Sequence, residues 1–205
     1  MSIHPAPEEP SRPEPGRPES GRAEPDRELT GCVFVGTSLD GFIARENGDF
    51  DWLTAAGDAL GETGYDEFFA SVDAMVLGRA TFDTVSAFPE WPYDGKRVLV
   101  LSRSLLNSGA ELSRPDLTVH ATLGDVIDVL RAEGRRRVYV DGGRTIQSFL
   151  RAGLIREITI TRAPVLLGSG IPLFGPLAAD VHLRHVGSRD LGAGYTQSSY
   201  EVLDP

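Results

Sequence analysis

The stretch Ala74-Met75-Val76-Leu77-Gly78-Arg79-Ala80-Thr81-Phe82 decides the fold of this chain. Its first four residues are apolar, which predicts a short strand, Ala74 to Gly78, buried on both faces in the manner of a parallel sheet. Helical spacing then runs from Arg79 to Ser86 and stops before Phe88-Pro89, since a residue ahead of proline disfavours α geometry. The strand therefore ends in a glycine and the helix begins with a cation. A glycine at a strand end lets a ligand approach the backbone, and the helix start offers unpaired N–H groups and a positive dipole end to a phosphate. Arg79 adds a planar cation matched to phosphate oxygens.

The same strand–glycine–helix logic recurs downstream in Val138-Tyr139-Val140-Asp141-Gly142-Gly143-Arg144-Thr145. Here Arg137 to Asp141 reads as a strand, Gly142-Gly143 as a turn whose N–H groups can cradle a pyrophosphate, and Arg144 to Arg151 as a helix. Between the two units lie strands at Val98 to Ser102 and Leu117 to Ala121. Thr122 and Asp125 then stand as cap and N3 of a helix to Glu133, with Gly134 as its stop. Upstream, Cys32 to Thr37 is a strand, Ser38 to Ala56 a long loop rich in Gly and Asp, and Glu62 to Ser71 a helix with Tyr65, Phe68, Phe69 and Val72 on one side. Downstream, Glu157 to Arg162 is a strand, followed by Leu183 to Arg189 and Thr196 to Leu203 as an antiparallel pair around Gly192-Ala193-Gly194. Strands alternating with helices, closed by two antiparallel strands, predict an α/β fold. Its mostly parallel central sheet is flanked by helices on both faces.

The chain of 205 residues is long enough for one full core. Residues 1–29 stand apart: they hold seven of the fourteen prolines, with Arg12, Arg17, Arg22 and Arg27 at five-residue spacing, and are expected to be a disordered Pro/Glu/Arg-rich tail. A single domain is expected over residues 30–205. A net charge of −10 argues against a nucleic-acid surface but leaves room for an anionic cofactor held by local donors. No apolar run is long enough to span a membrane, no secretory pattern opens the chain, and the single cysteine, Cys32, excludes an intrachain disulfide, so a cytoplasmic protein is expected. Cys32 reads as a small buried hydrophobe. His182 and His185 would face opposite sides of a strand, with no ligand cluster beside them, so no metal is expected.

In an open α/β sheet, ligands gather beyond the carboxyl ends of the strands. The third strand end here, Leu101-Ser102-Arg103-Ser104, also bears hydroxyls and a cation. Arg79 and Arg103 leave adjacent parallel strands in this reading, and would clamp an extra phosphate such as the 2′-phosphate that distinguishes NADPH from NADH.

The order of the motifs carries a family resemblance. They are Ser38-Leu39-Asp40-Gly41-Phe42-Ile43-Ala44, Asp51-Trp52-Leu53, Met75 to Phe82, Val100-Leu101-Ser102-Arg103, Val138 to Gly143, and Pro164 to Phe174. Over about Gly31 to Leu203 the chain resembles the dihydrofolate-reductase-like superfamily. Within it, the nearest branch holds the reductase domain of bacterial riboflavin biosynthesis and its stand-alone relatives. That resemblance implies an NADPH-dependent reductase acting on a pyrimidine- or pteridine-like small molecule, of the kind that reduces 5-amino-6-(5-phosphoribosylamino)uracil, and a homodimer built on the C-terminal strands. By position it implies that Gly78, Arg79 and Thr81 bind the cofactor phosphates and that Ser102 and Arg103 hold the 2′-phosphate. Val140, Gly142, Gly143, Arg144 and Thr145 would surround the pyrophosphate, with Gly36 and Ala44 lining the nicotinamide. Trp52 falls in a loop covering the site, and Thr161 in the substrate pocket, with Phe69 a further pocket candidate.

Two departures qualify it. Folate enzymes have Gly-Gly-Gly where this chain has Asp141-Gly142-Gly143, which brings a negative charge near phosphates, and their catalytic carboxylate matches a position near Tyr65 or Asp66. Hydride transfer to a C=N or C=O also calls for a proton donor. Asp40 is the first candidate and Asp66 the second, against the alternative of Asp40 as a turn residue before Gly41. The competing functional readings are a non-catalytic NADP(H)-binding protein and a true dihydrofolate reductase.

Overall fold

A computed structural model describes residues 29–109 and 114–203. In chain order the elements are β1 (Thr30–Thr37), β2 (Phe42–Ala44), α1 (Asp51–Thr54), α2 (Tyr65–Ser71), β3 (Ala74–Gly78), α3 (Arg79–Ser86), β4 (Arg97–Leu101) and α4 (Arg103–Asn107). They continue with β5 (Leu117–His120), α5 (Leu123–Ala132), β6 (Arg137–Asp141), α6 (Gly143–Arg151), β7 (Ile155–Arg162), β8 (Ile171–Pro172), β9 (Leu183–Gly192) and β10 (Tyr195–Val202). Eight strands form one sheet in the order β5-β4-β3-β6-β1-β7-β10-β9, and β2 pairs with β8 in a small ribbon. The six strands from β5 to β7 run parallel, and β10 and β9 are antiparallel additions at one edge.

The strands are apolar on both faces because each face is covered. Val33, Val76, Leu99, Val138 and Val140 pack on Val126 and Leu130 of α5 and on Ile146 and Phe149 of α6. Their alternating neighbours Met75, Leu77, Val98, Val100 and Tyr139 pack on the other side against Phe82 and Val85 of α3, Leu105 of α4, and the α2 aromatics. Each such side chain, fully buried, contributes roughly 1.5–3 kcal/mol. Helix α5 begins at the capping box read from Thr122 and Asp125, with Thr122 Oγ1 accepting from the Asp125 N–H at 3.2 Å and Asp125 Oδ2 accepting from the Thr122 N–H at 3.0 Å. Gly134, at φ 66°, ends it in the left-handed region.

Several boundaries differ from expectation. The stretch Ser38 to Ala56 is not a plain loop, since it holds β2 and α1, and α4 follows Ser102 where no helix was expected. Elements of three to five residues are shorter than the window in which periodicity shows. Helix α2 starts at Tyr65 rather than Glu62, directly after Gly64 at φ 72°. Gly143 belongs to α6 rather than to the turn, and β7 begins two residues before Glu157. The expected disordered tail, residues 1–28 of it, lies outside the described residues. Leu29, placed in that tail by composition, is buried in the core on the α5–α6 side. Among the described residues no helix is long and apolar enough to cross a membrane.

One feature of the register positions the site. Strand β6 keeps its pairing with β3 as far as Leu77–Asp141, and β1 keeps its pairing with β7 as far as Thr37–Arg162. Between themselves, β1 and β6 pair only over Thr30–Cys32 with Arg137–Tyr139. The sheet therefore parts at its carboxyl end, between the two strands where its order reverses, which is where open α/β sheets take ligands.

Candidate functional site

The walls of this parting are Phe34 to Gly36 on β1 and Asp141-Gly142 at the end of β6. The carbonyl of Phe34 accepts a hydrogen bond from Tyr139 Oη at 2.8 Å, so a side chain bridges the strands where they have begun to part. Asp141 lies two residues beyond Tyr139 and shares its face, beside the aromatic layer of Tyr65, Phe68 and Tyr93. Burial raises its carboxyl to about 6, opposed only by the Gly142 N–H, which donates to Oδ1 at 2.7 Å. Burial in the same layer, with the Asp141 charge as a secondary cause, raises Tyr65 to about 12. Sequence reading missed Asp141 as an acid and saw only a misplaced negative charge. The signal was present: a lone carboxylate closing an otherwise apolar strand. Because burial favours its neutral form, the objection to an acid beside phosphates is weakened.

Two strand–glycine–helix units from distant parts of the chain interlock beside Asp141. A Cβ built on Gly142 would stand 2.7 Å from Thr81 Oγ1, and one on Gly78 would stand 2.6 Å from Thr145 Oγ1. Each helix thus lays a first-turn hydroxyl on the other unit's glycine, and Gly142 takes φ 93°, a conformation that favours glycine. Gly78, Thr81, Gly142 and Thr145 are brought together, with the open N–H groups of two helix starts beside them. Gly143 lies under the β2–β8 ribbon, with Ile43 Cδ1 and the Pro172 carbonyl each 3.0 Å from where its Cβ would be. Ala44 is buried in that ribbon, opposite Ile171. Arg79 and Arg103 occupy the first positions of α3 and α4, after adjacent parallel strands. Arg79, Arg103 and Arg144 are all exposed, and Arg79 Nε donates to both carboxylate oxygens of Asp83 at 2.7 Å. Ser102 caps α4, its Oγ accepting from the Leu105 N–H at 3.1 Å.

Several expected roles are corrected. Asp40 is a tie between loops: its carboxylate accepts from Ser38 Oγ at 2.6 Å and from the Leu167 and Gly168 N–H groups at 3.1 and 2.8 Å. The Ser38 hydroxyl, with those two N–H groups, holds the carboxyl below the usual range, so it is ionised and a poor proton donor. Asp66 is an exposed acid in the first turn of α2. The Val140 side chain is fully buried against the α5–α6 layer and can meet a ligand only through its backbone. Trp52 packs with Ala163, Leu191 and Tyr195 in a small third core, its Nε1 buried without a hydrogen-bond partner. Phe69 belongs to the aromatic layer, stacked on Tyr65 at 5.7 Å with Lys96 Nζ 4.9 Å from its ring centre.

Leu53, missed in the sequence, covers Gly36: its Cδ atoms lie 2.4 and 2.6 Å from where a Gly36 Cβ would be. Tyr195 Oη holds that segment by donating to the Trp52 and Leu53 carbonyls. Thr161 neighbours Gly36 in the sheet and is buried, with Oγ1 accepting from Gln197 Nε2 at 2.9 Å. Gln197 had no signal in the sequence, because only the β7–β10 pairing brings it there. Cys32 is buried, and burial, with Glu157 nearby, pushes its thiol up to about 12, far from a nucleophile's range. Among the described residues no group of three or more His, Cys, Asp or Glu is placed to hold a metal ion.

Comparison with known proteins agrees with this geometry. The uncharacterized Bacillus subtilis protein YwjB is 32% identical over 172 residues, 78% of this chain and 91% of that protein. The riboflavin biosynthesis protein RibD of Corynebacterium ammoniagenes is 30% identical over 149 residues, 65% of this chain but only 42% of that longer protein. A crystal structure of a Shewanella sp. PV-4 protein, provisionally assigned to riboflavin biosynthesis, superposes with a TM-score of 0.74 at 38% identity, covering 86% of this chain and all of that one. The family described as the RibD C-terminal domain matches residues 30–197, which takes in β1, the parted strand ends, both interlocked glycine turns, β9 and the start of β10. The dihydrofolate-reductase-like architecture read from the motifs is therefore that of the RibD C-terminal domain family, and this chain belongs to it.

Proposed function

We propose that this chain is an NADPH-dependent reductase of a small heterocyclic substrate. The observation that carries the reading is the parting of the sheet, with the partly buried carboxyl of Asp141 and interlocked glycine turns on one wall and Gly36, covered by Leu53, on the other. The residues present fit a dinucleotide. The first-turn hydroxyls of Thr81 and Thr145 stand against Gly142 and Gly78 beside two helix starts, which gathers hydroxyl and N–H donors suited to a pyrophosphate, and Arg103 and Arg144 are exposed. In this assignment Gly78, Thr81, Gly142, Gly143, Arg144 and Thr145 hold the pyrophosphate, and Ser102, Arg103 and Arg79 the 2′-phosphate. NADPH, when bound, supplies a hydride to an electrophilic carbon.

The chain's own work is to orient the reactants, exclude water and deliver a proton. Asp141, raised to about 6, is a general acid poised near neutral pH to protonate the nitrogen or oxygen of the reduced C=N or C=O. The aromatic layer of Tyr65, Phe68 and Tyr93 flanks it and limits its contact with water. Leu53 and Trp52, held by Tyr195, form the segment that must shift for a ring to lie on Gly36. Membership in the RibD C-terminal domain family, with a structural neighbour described as a 5-amino-6-(5-phosphoribosylamino)uracil reductase, supports a pyrimidine substrate of that kind.

The test has two stages. NADPH and NADH are titrated against the purified protein by calorimetry, then NADPH oxidation is followed with that uracil. Tighter binding of NADPH and substrate-dependent oxidation are expected. Replacing Asp141 with Asn should lower kcat by about a hundredfold with cofactor binding intact. A protein that binds neither nucleotide would end the reading.

A further inference from the structure

We propose that Asp83 is a specificity-determining residue: an internal counter-ion that competes with a ligand phosphate for Arg79. This rests on the nucleotide reading above. Arg79 and Arg103 are equivalent residues, each first in the helix that follows one of two adjacent parallel strands, Gly78 pairing with Leu101 just before them. Their surroundings differ. Both are exposed, but Arg79 Nε is engaged by both oxygens of Asp83, one helical turn on, while Arg103 carries no such counter-ion within its own helix, Arg-Ser-Leu-Leu-Asn.

A phosphate entering between the two helix starts meets on one side the Arg103 guanidinium, which has no carboxylate partner among the described residues. On the other it meets a guanidinium already neutralised, with a carboxylate at its back. Binding Arg79 requires either loosening the Asp83 contact or accepting two anions on one cation, and both act against the phosphate. The ion pair is itself weak, since 44% of the Arg79 side chain and 52% of the Asp83 side chain stay exposed, so a dianion can displace it. Asp83 therefore restrains the advantage of the 2′-phosphorylated cofactor. Arg103 sets that advantage, and Arg79 adds to it only to the degree Asp83 releases it.

The experiment measures binding, apart from turnover. Calorimetric affinities for NADPH and NADH are compared in wild type, Asp83→Asn, Arg79→Ala, the double variant of these two and Arg103→Ala, at low and high salt, with circular dichroism to check each fold. Asp83→Asn should tighten NADPH about three- to tenfold and leave NADH within twofold, with the gain shrinking at high salt and vanishing in the Arg79→Ala background. Arg103→Ala should weaken NADPH more than Arg79→Ala does. An unchanged or weaker NADPH affinity in Asp83→Asn, or a gain that persists without Arg79, would overturn the proposal with the nucleotide site intact. Wild-type protein binding neither nucleotide would remove the site reading itself, and this inference with it.

Discussion

Asp141 and Asp40 carry the same side chain and reach opposite states, because one is withdrawn among aromatics and the other is wrapped in donors at the surface. The pH consequence at Asp141 has a definite sign. Its folded value, about 6, lies above the ordinary 3.8, so between these the folded state binds more protons than the unfolded chain. Stability must fall as pH rises through that window, and the cost, on the order of 2–3 kcal/mol, is complete above it. Asp141→Asn should accordingly unfold at a higher temperature than wild type at pH 7.5 and show no such advantage at pH 4, as calorimetric scans at the two values would reveal. Asp40→Ala should act elsewhere: amide exchange at Leu167 and Gly168 is expected to accelerate, because their acceptor is gone, while core amides keep their rates. Neither state was legible in the sequence. An Asp before a Gly suggested both a turn and a catalyst, and only the positions of Leu167 and of the aromatic layer separate them.

At the scale of elements, the two glycine turns were legible and their partnership was not. A strand, a glycine and a helix start can be read from ten consecutive residues, but the contact of Thr81 with Gly142 joins segments some sixty positions apart. The contact separates two otherwise similar substitutions. Gly78→Ala meets only the Thr145 hydroxyl, so it should cost about 1–3 kcal/mol and be rescued by Thr145→Ala. Gly142→Ala meets the Thr81 hydroxyl and also keeps φ 93°, so it should cost more, and Thr81→Ala should rescue it only in part. Denaturant unfolding of the two double-mutant cycles would measure the difference. The short α1 was read as loop, yet it sets access to Gly36. Tyr195→Phe, which removes the donor to the Trp52 and Leu53 carbonyls, should speed NADPH association in stopped-flow fluorescence severalfold with little change in global stability.

For the whole molecule, alternation of strands and helices was enough to give a parallel sheet covered on both faces and closed by an antiparallel pair. Length and apolar content leave few other ways to bury strands without polar faces. The strand order was not legible, because nothing local in Arg137–Asp141 says that it lies between β1 and β3. That order has a consequence during synthesis. The chain makes β1 first and β3 second, but holds the place between them for a strand made after β4 and β5. At the ~5–20 residues per second of translation, β1 waits roughly three to twelve seconds after β3 for β6, and longer for β7, so neither of its edges has its sheet partner in that time. Insertion of β6 then joins β1 to the β3–β4–β5 strands and seats Gly142 on Thr81 in one event, so a ribosome-bound intermediate halted before Arg137 is the form that chaperones should recognise.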